Sequence, residues 1–286
     1  MRIILLSDRT VLVSEKLGFC SGVESAINKA FEAAEKAMND GLPCYFYGDI
    51  VHNKRVIAYF DKLSIKSIYS PEGVKPGVLI IRAHGIADRE RAEFEAKGFV
   101  LVDATCPVVK HNQELVRKEE GNLLIVGYPK HAEVISLLGS TNKEAKVITS
   151  SEDIDSLDKS ISYSAVLQTT FSDVELERII KRAAERSIRI SFLNSICSAS
   201  RMRRLGVMKL CKSVDAFVVV GDRLSANTKE LYELAKKGSE NAFLIEAAEE
   251  LPQEVFSYNI IGVTAGASTP KSVYQEVIDT LRSKNI

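Results

Sequence analysis

Three of the five cysteines recur at regular positions along the chain and are candidates for binding a metal. Cys20, Cys106 and Cys197 are 86 and 91 residues apart, and each stands just before a predicted helix. The positive end of a helix dipole stabilises a thiolate, which is the form of cysteine that binds metal. Three thiolates from three separate segments favour zinc or an iron-sulfur cluster, and three protein ligands leave one position open for catalysis.

The other two cysteines fit a structural role. Cys44 lies inside a predicted strand, and Cys211 continues an apolar stripe with Leu205 and Met208, so we expect both in the core. An odd number of cysteines without a dense framework argues against a secreted disulfide scaffold. We therefore expect a protein of the reducing cytoplasm.

Polar side chains gather in loops that follow predicted strands. Three of the four histidines lie there together with hydroxyl and amide side chains: His52, His84, His131, Ser225, Asn227 and Ser268. Ligands of parallel sheets bind at the carboxyl ends of the strands, where helix N-termini also offer N–H groups to anions. The pattern predicts a pocket for a phosphate or diphosphate. The fourth histidine, His111, lies within a predicted helix and is interpreted as a surface residue.

Glu133 is the carboxylate that stands out by position, because it follows His131 by two residues in a loop otherwise suited to anions. A carboxyl group in such a place can have a raised pKa and donate a proton as a general acid. The helix dipole explains a first-turn glutamate equally well. Position alone therefore leaves both interpretations open.

Short apolar runs alternate with amphipathic stretches, which is the βαβα order of parallel sheets covered by helices. The predicted strands are 3–6, 44–47, 78–82, 100–102, 123–126, 146–149, 165–167, 189–192, 216–220 and 260–263. Residues 22–38 repeat apolar side chains at the helical period and predict a helix.

An internal repeat divides the chain. A cysteine, a strand that ends in glycine and a polar turn after a further strand recur three times in the same order. The repeat predicts three quasi-equivalent small α/β domains, at 20–105, 106–196 and 197–286. We expect the N-terminal strand, within 1–19, to complete the third.

Charge and hydropathy exclude several classes of protein. The 38 basic and 38 acidic residues give zero net charge, which argues against nucleic acid or a membrane surface as partner. The longest uncharged stretch, 255–270, contains polar residues, glycines and a proline, so it is not a membrane span. The apolar run at 3–6 is too short for a signal peptide.

Nine short motifs in collinear order resemble the LytB family. They are GFCSGVESAI, IVHN, RAHG, DATCPVV, HAEV, QTTFS, NSICSAS, SANT and VTAGASTP. The resemblance implies a trefoil of three α/β domains around one central [4Fe-4S] cluster. The residues that match the family's cluster ligands are Cys20, Cys106 and Cys197, which leave one iron open.

The family's activity is the reductive dehydroxylation of 4-hydroxy-3-methylbut-2-enyl diphosphate to isopentenyl and dimethylallyl diphosphates, the last step of the non-mevalonate route to isoprenoids. By resemblance the substrate's hydroxyl binds the open iron, and two electrons and two protons remove it as water. An external donor such as ferredoxin or flavodoxin is implied, because no G-x-G-x-x-G fingerprint for a flavin or nicotinamide follows any predicted strand.

The resemblance also assigns roles to individual residues. Glu133 and Thr169 would relay protons to the leaving hydroxyl, and Gln168 would orient that network. The remaining matches would bind the diphosphate of the substrate: His52, His84, His131, Ser225, Asn227 and Ser268.

Three departures from the family's pattern bear on these roles. Ala132 replaces a usual proline between His131 and Glu133, which keep their types. Ala226 stands where a serine is common, so we expect one hydroxyl contact fewer and weaker binding of the diphosphate. Residues 8–16 look like an insertion, interpreted as a surface excursion without a role.

Two other classes of function fit the cysteines and loops taken without the resemblance. Three thiolates and an open water site suit a zinc-dependent hydrolase of a phosphorylated small molecule. A non-catalytic iron-sulfur sensor would use the same three cysteines. A pocket of diphosphate size with a proton donor favours the reductase over the sensor.

Overall fold

The computed structural model describes residues 9–51 and 53–283. Within them the chain forms twelve strands: β1 Thr10–Val13, β2 Cys44–Tyr47, β3 Lys66–Ile68, β4 Val78–Ile81, β5 Val100–Asp103, β6 Asn122–Val126, β7 Ala145–Ile148, β8 Ser162–Leu167, β9 Arg189–Phe192, β10 Ala216–Val220, β11 Ala242–Ile245 and β12 Ile260–Ala265. The same residues form nine α-helices: α1 Ser21–Asn39, α2 Lys54–Lys62, α3 Asp88–Ala96, α4 Pro107–Lys118, α5 Ala132–Leu138, α6 Asp173–Glu185, α7 Ser198–Leu210, α8 Ala226–Gly238 and α9 Lys271–Ser283.

The strands form three four-stranded sheets in which every pairing is parallel. Their orders are β1-β12-β10-β11, β3-β2-β4-β5 and β7-β6-β8-β9. Two of the inner strands, β4 with the run VLII and β10 with the run AFVVV, are buried along their whole length. Continuous apolar runs of this kind are typical of parallel strands covered on both faces. The predicted α/β class with three sheet-containing parts is confirmed.

The N-terminal segment bears on two expectations, which are the surface excursion at 8–16 and the N-terminal strand that completes the third predicted domain. Residues 10–13 form β1, which pairs with β12 from Thr10↔Ile260 to Val13↔Val263. The described part of the segment interpreted as a surface excursion, residues 9–16, therefore has a structural place, because Thr10–Val13 completes the sheet that contains β10 to β12. The predicted strand 3–6 lies outside the described residues.

The chain divides into two compact units. Unit 1 takes its described residues from Met1–Ser21, His52–Val56 and Ser198–Ile286, and unit 2 consists of Gly22–Val51 and Ile57–Cys197. Unit 1 holds the sheet of β1 and β10 to β12, and unit 2 holds the other two sheets. The predicted domain boundaries at 105/106 and 196/197 stay predictions.

The predicted helix at 22–38 is confirmed as α1, whose alanine-rich stripe from Ala26 to Ala37 is buried. The predicted strands agree with the observed ones to within a few residues. Two strands were missed besides β1, namely β3 and β11. Both lie beside one neighbour only, at a sheet edge, where a half-exposed strand has a weaker apolar pattern.

Candidate functional site

The three candidate ligand cysteines occupy the same place in their sheets. Each follows an edge strand, which is β1 for Cys20, β5 for Cys106 and β9 for Cys197. Each then donates its backbone N–H to the loop that follows the neighbouring inner strand. The acceptors are the carbonyl oxygens of Ala267 at 3.2 Å, Ala83 at 3.0 Å and Thr169 at 3.0 Å, respectively.

The five cysteines separate by burial as the sequence predicts. Cys20, Cys106 and Cys197 are free thiols and partly exposed, whereas Cys44 and Cys211 are buried. Burial raises the pKa of the Cys44 thiol to about 11 and also raises that of Cys211, so both remain inert thiols. The predicted apolar stripe that joins Cys211 to Leu205 and Met208 is wrong.

Cys211 packs against Val207 and Phe217 in the core of unit 1. Leu205 and Met208, which were expected beside it, are 50% and 54% exposed. The buried face of α7 therefore runs through Val207 instead.

Partly exposed thiols are a suitable donor set for an iron-sulfur cluster, which is held by cysteine sulfur. Within residues 9–51 and 53–283, no three His, Cys, Asp or Glu side chains group as ligands of one metal ion. A [4Fe-4S] cluster differs from a single ion in this respect, because each cysteine binds a different iron. Its ligands therefore stand farther apart than those of one ion, and the donor type fits the cluster.

Glu133 lies in the first turn of α5 in unit 2, and the residue is only 1% exposed. Its Oε1 accepts the backbone N–H of Thr169 at 2.8 Å, and its Oε2 accepts the Thr169 hydroxyl at 2.6 Å. The structure thus brings together the two residues that the resemblance names for proton transfer.

Burial raises the pKa of Glu133 to about 7, while hydrogen bonds from Thr169 and the Asn112 side chain act in the opposite direction. A general acid works best when its pKa lies near the working pH. A helix-dipole glutamate would be expected at the surface with an ordinary pKa. The buried pair with Thr169 therefore favours a general-acid role for Glu133 over that of a glutamate that only interacts with the helix dipole.

Two histidines lie together at the start of α5. His131 is the N-cap of α5, and its Nδ1 accepts the backbone N–H of Glu133 at 3.2 Å. The His84 ring packs edge-on against the His131 ring, with centroids 5.3 Å apart. Ser136 in α5 donates its hydroxyl to the carbonyl of His84 at 2.8 Å, which fixes the loop after β4.

Gln168 is fully buried, and both ends of its side-chain amide are bonded within unit 2. Its Oε1 accepts the N–H of Tyr128 at 3.0 Å, and its Nε2 donates to the Thr170 hydroxyl at 2.8 Å. Gly127 makes room for it, since a Cβ there would lie 2.9 Å from the Gln168 side chain. Gln168 therefore braces two loops of the site.

The predicted anion contacts of unit 1 meet at the start of α8. Ser225 is its N-cap, and the hydroxyl of Ser268 donates to that of Ser225 at 3.5 Å. Asn227 Oδ1 accepts the N–H of Ala267 at 2.8 Å, and its Nδ2 is buried without a hydrogen-bond partner among the described residues. A buried N–H group without a partner is rare, and here it suits an anion at the helix N-terminus.

The other two histidines of the chain are His52 and His111. His52 lies outside the described residues. His111 is exposed on α4, as the sequence predicts.

Sequence reasoning missed two asparagines in unit 2. Asn194 Oδ1 accepts the N–H of Leu167 at 2.7 Å and its Nδ2 donates to the Leu167 carbonyl at 2.9 Å, so its side chain replaces the next residue of β9. Asn112 lies on the buried face of α4 between Val109 and Val116. A polar residue on an apolar stripe is a signal that could have found it.

No helix among the residues that the structure describes is long and apolar enough to cross a membrane.

The likeness to known proteins spans nearly the whole chain. A reductase of 4-hydroxy-3-methylbut-2-enyl diphosphate from Treponema denticola is 35% identical over 277 residues, which cover 92% of this chain and 96% of that protein. The enzyme of the same name from Alkaliphilus oremlandii is 35% identical and covers 96% of this chain and 99% of its own.

Solved structures give the same picture. The chain matches a structure of (E)-4-hydroxy-3-methyl-but-2-enyl diphosphate reductase, the terminal enzyme of the non-mevalonate pathway, with a TM-score of 0.71 and 31% identity over 96% of this chain and 100% of that one. It matches the E-1-hydroxy-2-methyl-but-2-enyl-4-diphosphate reductase of Plasmodium falciparum with a TM-score of 0.87 and 28% identity over 95% of this chain and 87% of that one. The LytB protein model matches residues 11–282, and the chain belongs to the LytB family.

Proposed function

We propose that this protein is a 4-hydroxy-3-methylbut-2-enyl diphosphate reductase, which removes the hydroxyl group of its substrate to give isopentenyl and dimethylallyl diphosphates. The observation that carries the proposal is the buried Glu133–Thr169 pair in a chain of the LytB family, because it supplies a proton donor whose pKa lies near neutrality. The relatives' shared name supplies the substrate.

The proposal includes one [4Fe-4S] cluster with three cysteine ligands and one open iron, around which three α/β domains form a trefoil. The ligands are Cys20, Cys106 and Cys197. Two observations support this ligand set: each cysteine has the equivalent position within its own sheet, and each thiol is partly exposed. When bound, the cluster supplies electron transfer and a Lewis-acidic position for the substrate's hydroxyl.

The side chains of the polar loops would bind the diphosphate. In unit 1 these are Ser225, Asn227 and Ser268, which are buried and uncharged at neutral pH. In unit 2 they are His84 and His131, and we assign His52 the same role. Neutral donors at helix N-termini bind an anion without the long flexible side chains of lysine and arginine, so little conformational entropy is lost.

Proton transfer falls to Glu133 and Thr169. The reaction breaks the carbon–oxygen bond of the substrate's hydroxyl and consumes two electrons and two protons: one proton leaves with the hydroxyl as water, and the two electrons and the second proton form a carbon–hydrogen bond of the product. The Glu133 carboxyl group, protonated in part near pH 7, would donate through the Thr169 hydroxyl to that oxygen. Burial excludes bulk water from the carboxyl group, so the proton is not lost to solvent before transfer.

The electrons would come from an external protein carrier such as ferredoxin or flavodoxin, as the sequence predicts. The free thiols among residues 9–51 and 53–283 are compatible with the predicted cytoplasmic location.

The test is anaerobic purification followed by iron and sulfide analysis and an assay with reduced viologen and 4-hydroxy-3-methylbut-2-enyl diphosphate. We expect a brown protein with four irons and four sulfides per chain that consumes the substrate. A colourless protein with bound zinc after anaerobic reconstitution would support the hydrolase instead. A brown protein without turnover would indicate the sensor, and either result overturns the proposal.

A further inference from the structure

Arg203 is a buried arginine of α7 in unit 1 and is 4% exposed. Its Nη1 donates a hydrogen bond to the carbonyl of Ala199 at 2.8 Å, within the helix, and its Nη2 donates one to the carbonyl of Gly18 at 2.7 Å, 185 residues earlier in the chain. A guanidinium group does not lose its charge in a protein, so its burial is costly unless it is hydrogen-bonded. The bond to Gly18 is therefore a tertiary contact made by a charged donor.

The carbonyl that Arg203 binds belongs to the segment that carries Cys20. This segment follows β1 and donates its backbone N–H groups to the end of β12 and the loop after it. The N–H of Gly18 bonds the carbonyl of Ala265 at 3.3 Å, and the N–H of Cys20 bonds that of Ala267 at 3.2 Å. The Gly18 peptide is thus held by β12 through its N–H and by α7 through its carbonyl.

Two glycines let this segment pack closely on its neighbours. Gly18 has φ +70°, a conformation that favours glycine, and a Cβ there would clash with the ring of Tyr274. Gly206 lies three residues after Arg203 on α7, and a Cβ there would clash with the hydroxyl of Ser14. Ser14 therefore packs directly on α7, and Arg203 extends this contact along the segment to Gly18.

The segments before the other two candidate ligands are held by their own side chains. Asp103, three residues before Cys106, accepts a backbone N–H of the same segment at 3.0 Å. Asn194, three residues before Cys197, bonds both backbone groups of the last residue of β8, at 2.7 and 2.9 Å. Arg203 differs from both, because it holds its segment from a helix that is distant in the sequence.

We propose that Arg203 is a positioning residue of the candidate cluster site, where its guanidinium group binds the Gly18 carbonyl and so holds the segment that presents Cys20. A ligand on an ordered segment loses less conformational entropy when it binds iron. The consequence for the cluster rests on the proposed function, which requires Cys20 as a ligand. The order of the segment does not depend on that function.

The first test measures amide hydrogen exchange by mass spectrometry in the anaerobically purified full chain, at residues 17–21 and at the buried strand β10 of the same unit. Arg203→Met keeps the aliphatic part of the side chain and removes every donor, and Arg203→Lys keeps the charge. A hydrogen bond from a charged group can change a local opening equilibrium about 10- to 100-fold. We expect Arg203→Met to speed exchange at 17–21 by that factor, Arg203→Lys to speed it less, and β10 to keep its parental rate.

Arg204→Met is the matched control, because Arg204 is the next residue of α7, is also 4% exposed and pairs through Nη1 with Glu230 at 2.9 Å. We expect it to lower the melting temperature and leave exchange at 17–21 unchanged. Equal acceleration at 17–21 in Arg204→Met, equal acceleration at β10, or no acceleration in the Arg203 variants would overturn the proposal. If Arg203→Met does not fold, Arg203→Lys decides by the same criteria.

The second test measures the release of iron to the chelator EDTA from the anaerobically reconstituted chain. Residues that orient a metal ligand typically change metal affinity about 10- to 100-fold, so we expect Arg203→Met to release iron at least about tenfold faster and Arg204→Met to release it at the parental rate. Parental release from Arg203→Met would overturn the role at the cluster site. A parent that takes up no iron would instead contradict the proposed function, and hydrogen exchange, which needs neither iron nor turnover, would still decide the contact.

Discussion

Units 1 and 2 each contain two successive hydrogen bonds that join a candidate ligand cysteine, a loop residue and a residue in the first turn of a helix. The two arrangements differ in the side chain at the helix end. In unit 2 the Cys197 N–H bonds the carbonyl of Thr169, whose own N–H bonds Glu133 at 2.8 Å. In unit 1 the Cys20 N–H bonds the carbonyl of Ala267, whose own N–H bonds Asn227 at 2.8 Å. Each connection thus links a candidate ligand to a first-turn helix residue through one loop residue.

The side chains at the end of the two connections differ in chemistry. Glu133 and Asn227 are both buried, two residues after the N-caps His131 and Ser225. A carboxyl group can give up a proton, whereas an amide offers a permanent N–H donor and does not titrate. Under the proposed function, the same local backbone would serve acid catalysis in one unit and anion binding in the other.

The largest expected effect concerns what the two units share. Cys20→Ser and Cys197→Ser should each lose the cluster colour and reduce turnover below detection, because hydroxyl oxygen is a poor ligand for iron-sulfur clusters. The measurement is iron content after anaerobic purification. Cys44→Ala is the control, since it removes a buried thiol of β2 and should keep its full iron content. A full complement of iron in Cys20→Ser would contradict the assignment of Cys20 as a cluster ligand.

Replacement of the acid comes next. Glu133→Gln keeps the shape and removes the proton, so kcat should fall about 10²- to 10⁴-fold while the substrate still perturbs the visible spectrum. In the parent, kcat should fall as pH rises through about 7, because Glu133 ionises there. Glu144→Gln, an exposed site, controls for loss of one charge, and a parental kcat in Glu133→Gln would remove this residue from proton transfer.

Replacement of Asn227, which corresponds in unit 1 to Glu133, should affect substrate binding more than the rate of turnover. Asn227→Asp keeps the acceptor for Ala267 and replaces the unpartnered Nδ2 by a carboxylate oxygen. Like charges brought together cost several kcal/mol, so KM should rise about 10- to 100-fold with a smaller change in kcat. Asn142→Asp at an exposed position is the control. An unchanged KM would show that this end of unit 1 does not face the anion.

The smallest effect is on stability. The folded pKa of Glu133, about 7, lies above its ordinary 4.5, so the fold favours the protonated carboxyl group. The resulting stabilisation is complete below pH 4.5 and is lost as pH rises through 7. The free energy of unfolding of the parent should fall relative to Glu133→Gln by about 3 kcal/mol between pH 4.5 and 8. Parallel denaturation curves at both pH values would contradict this.

The spacing of cysteines and loops predicts the three sheets well, because strand runs such as AFVVV and the loops at their ends are local features of the sequence. The same reasoning separates the partly exposed candidate ligands from the buried core cysteines. It misplaces the segment 8–16, since a four-residue strand at a sheet edge is defined by its neighbour β12 and not by its own pattern.

The contacts around Glu133 lie beyond such reasoning. Its hydrogen-bond partner Thr169 is 36 residues away along the chain, and only the fold brings the two together. Burial, which raises the pKa of Glu133, is likewise a property of the folded chain. Position alone therefore left this residue with two explanations, and the fold favours one.

The most direct test of the division between the units is a single turnover at saturating substrate, with Glu133→Gln and Asn227→Asp measured side by side. We predict that Glu133→Gln binds the diphosphate with nearly parental affinity and forms almost no product. Asn227→Asp should bind weakly and, once saturated, form product at a rate within about tenfold of the parent. Product formation at the parental rate by Glu133→Gln would contradict the assignment of acid catalysis to unit 2.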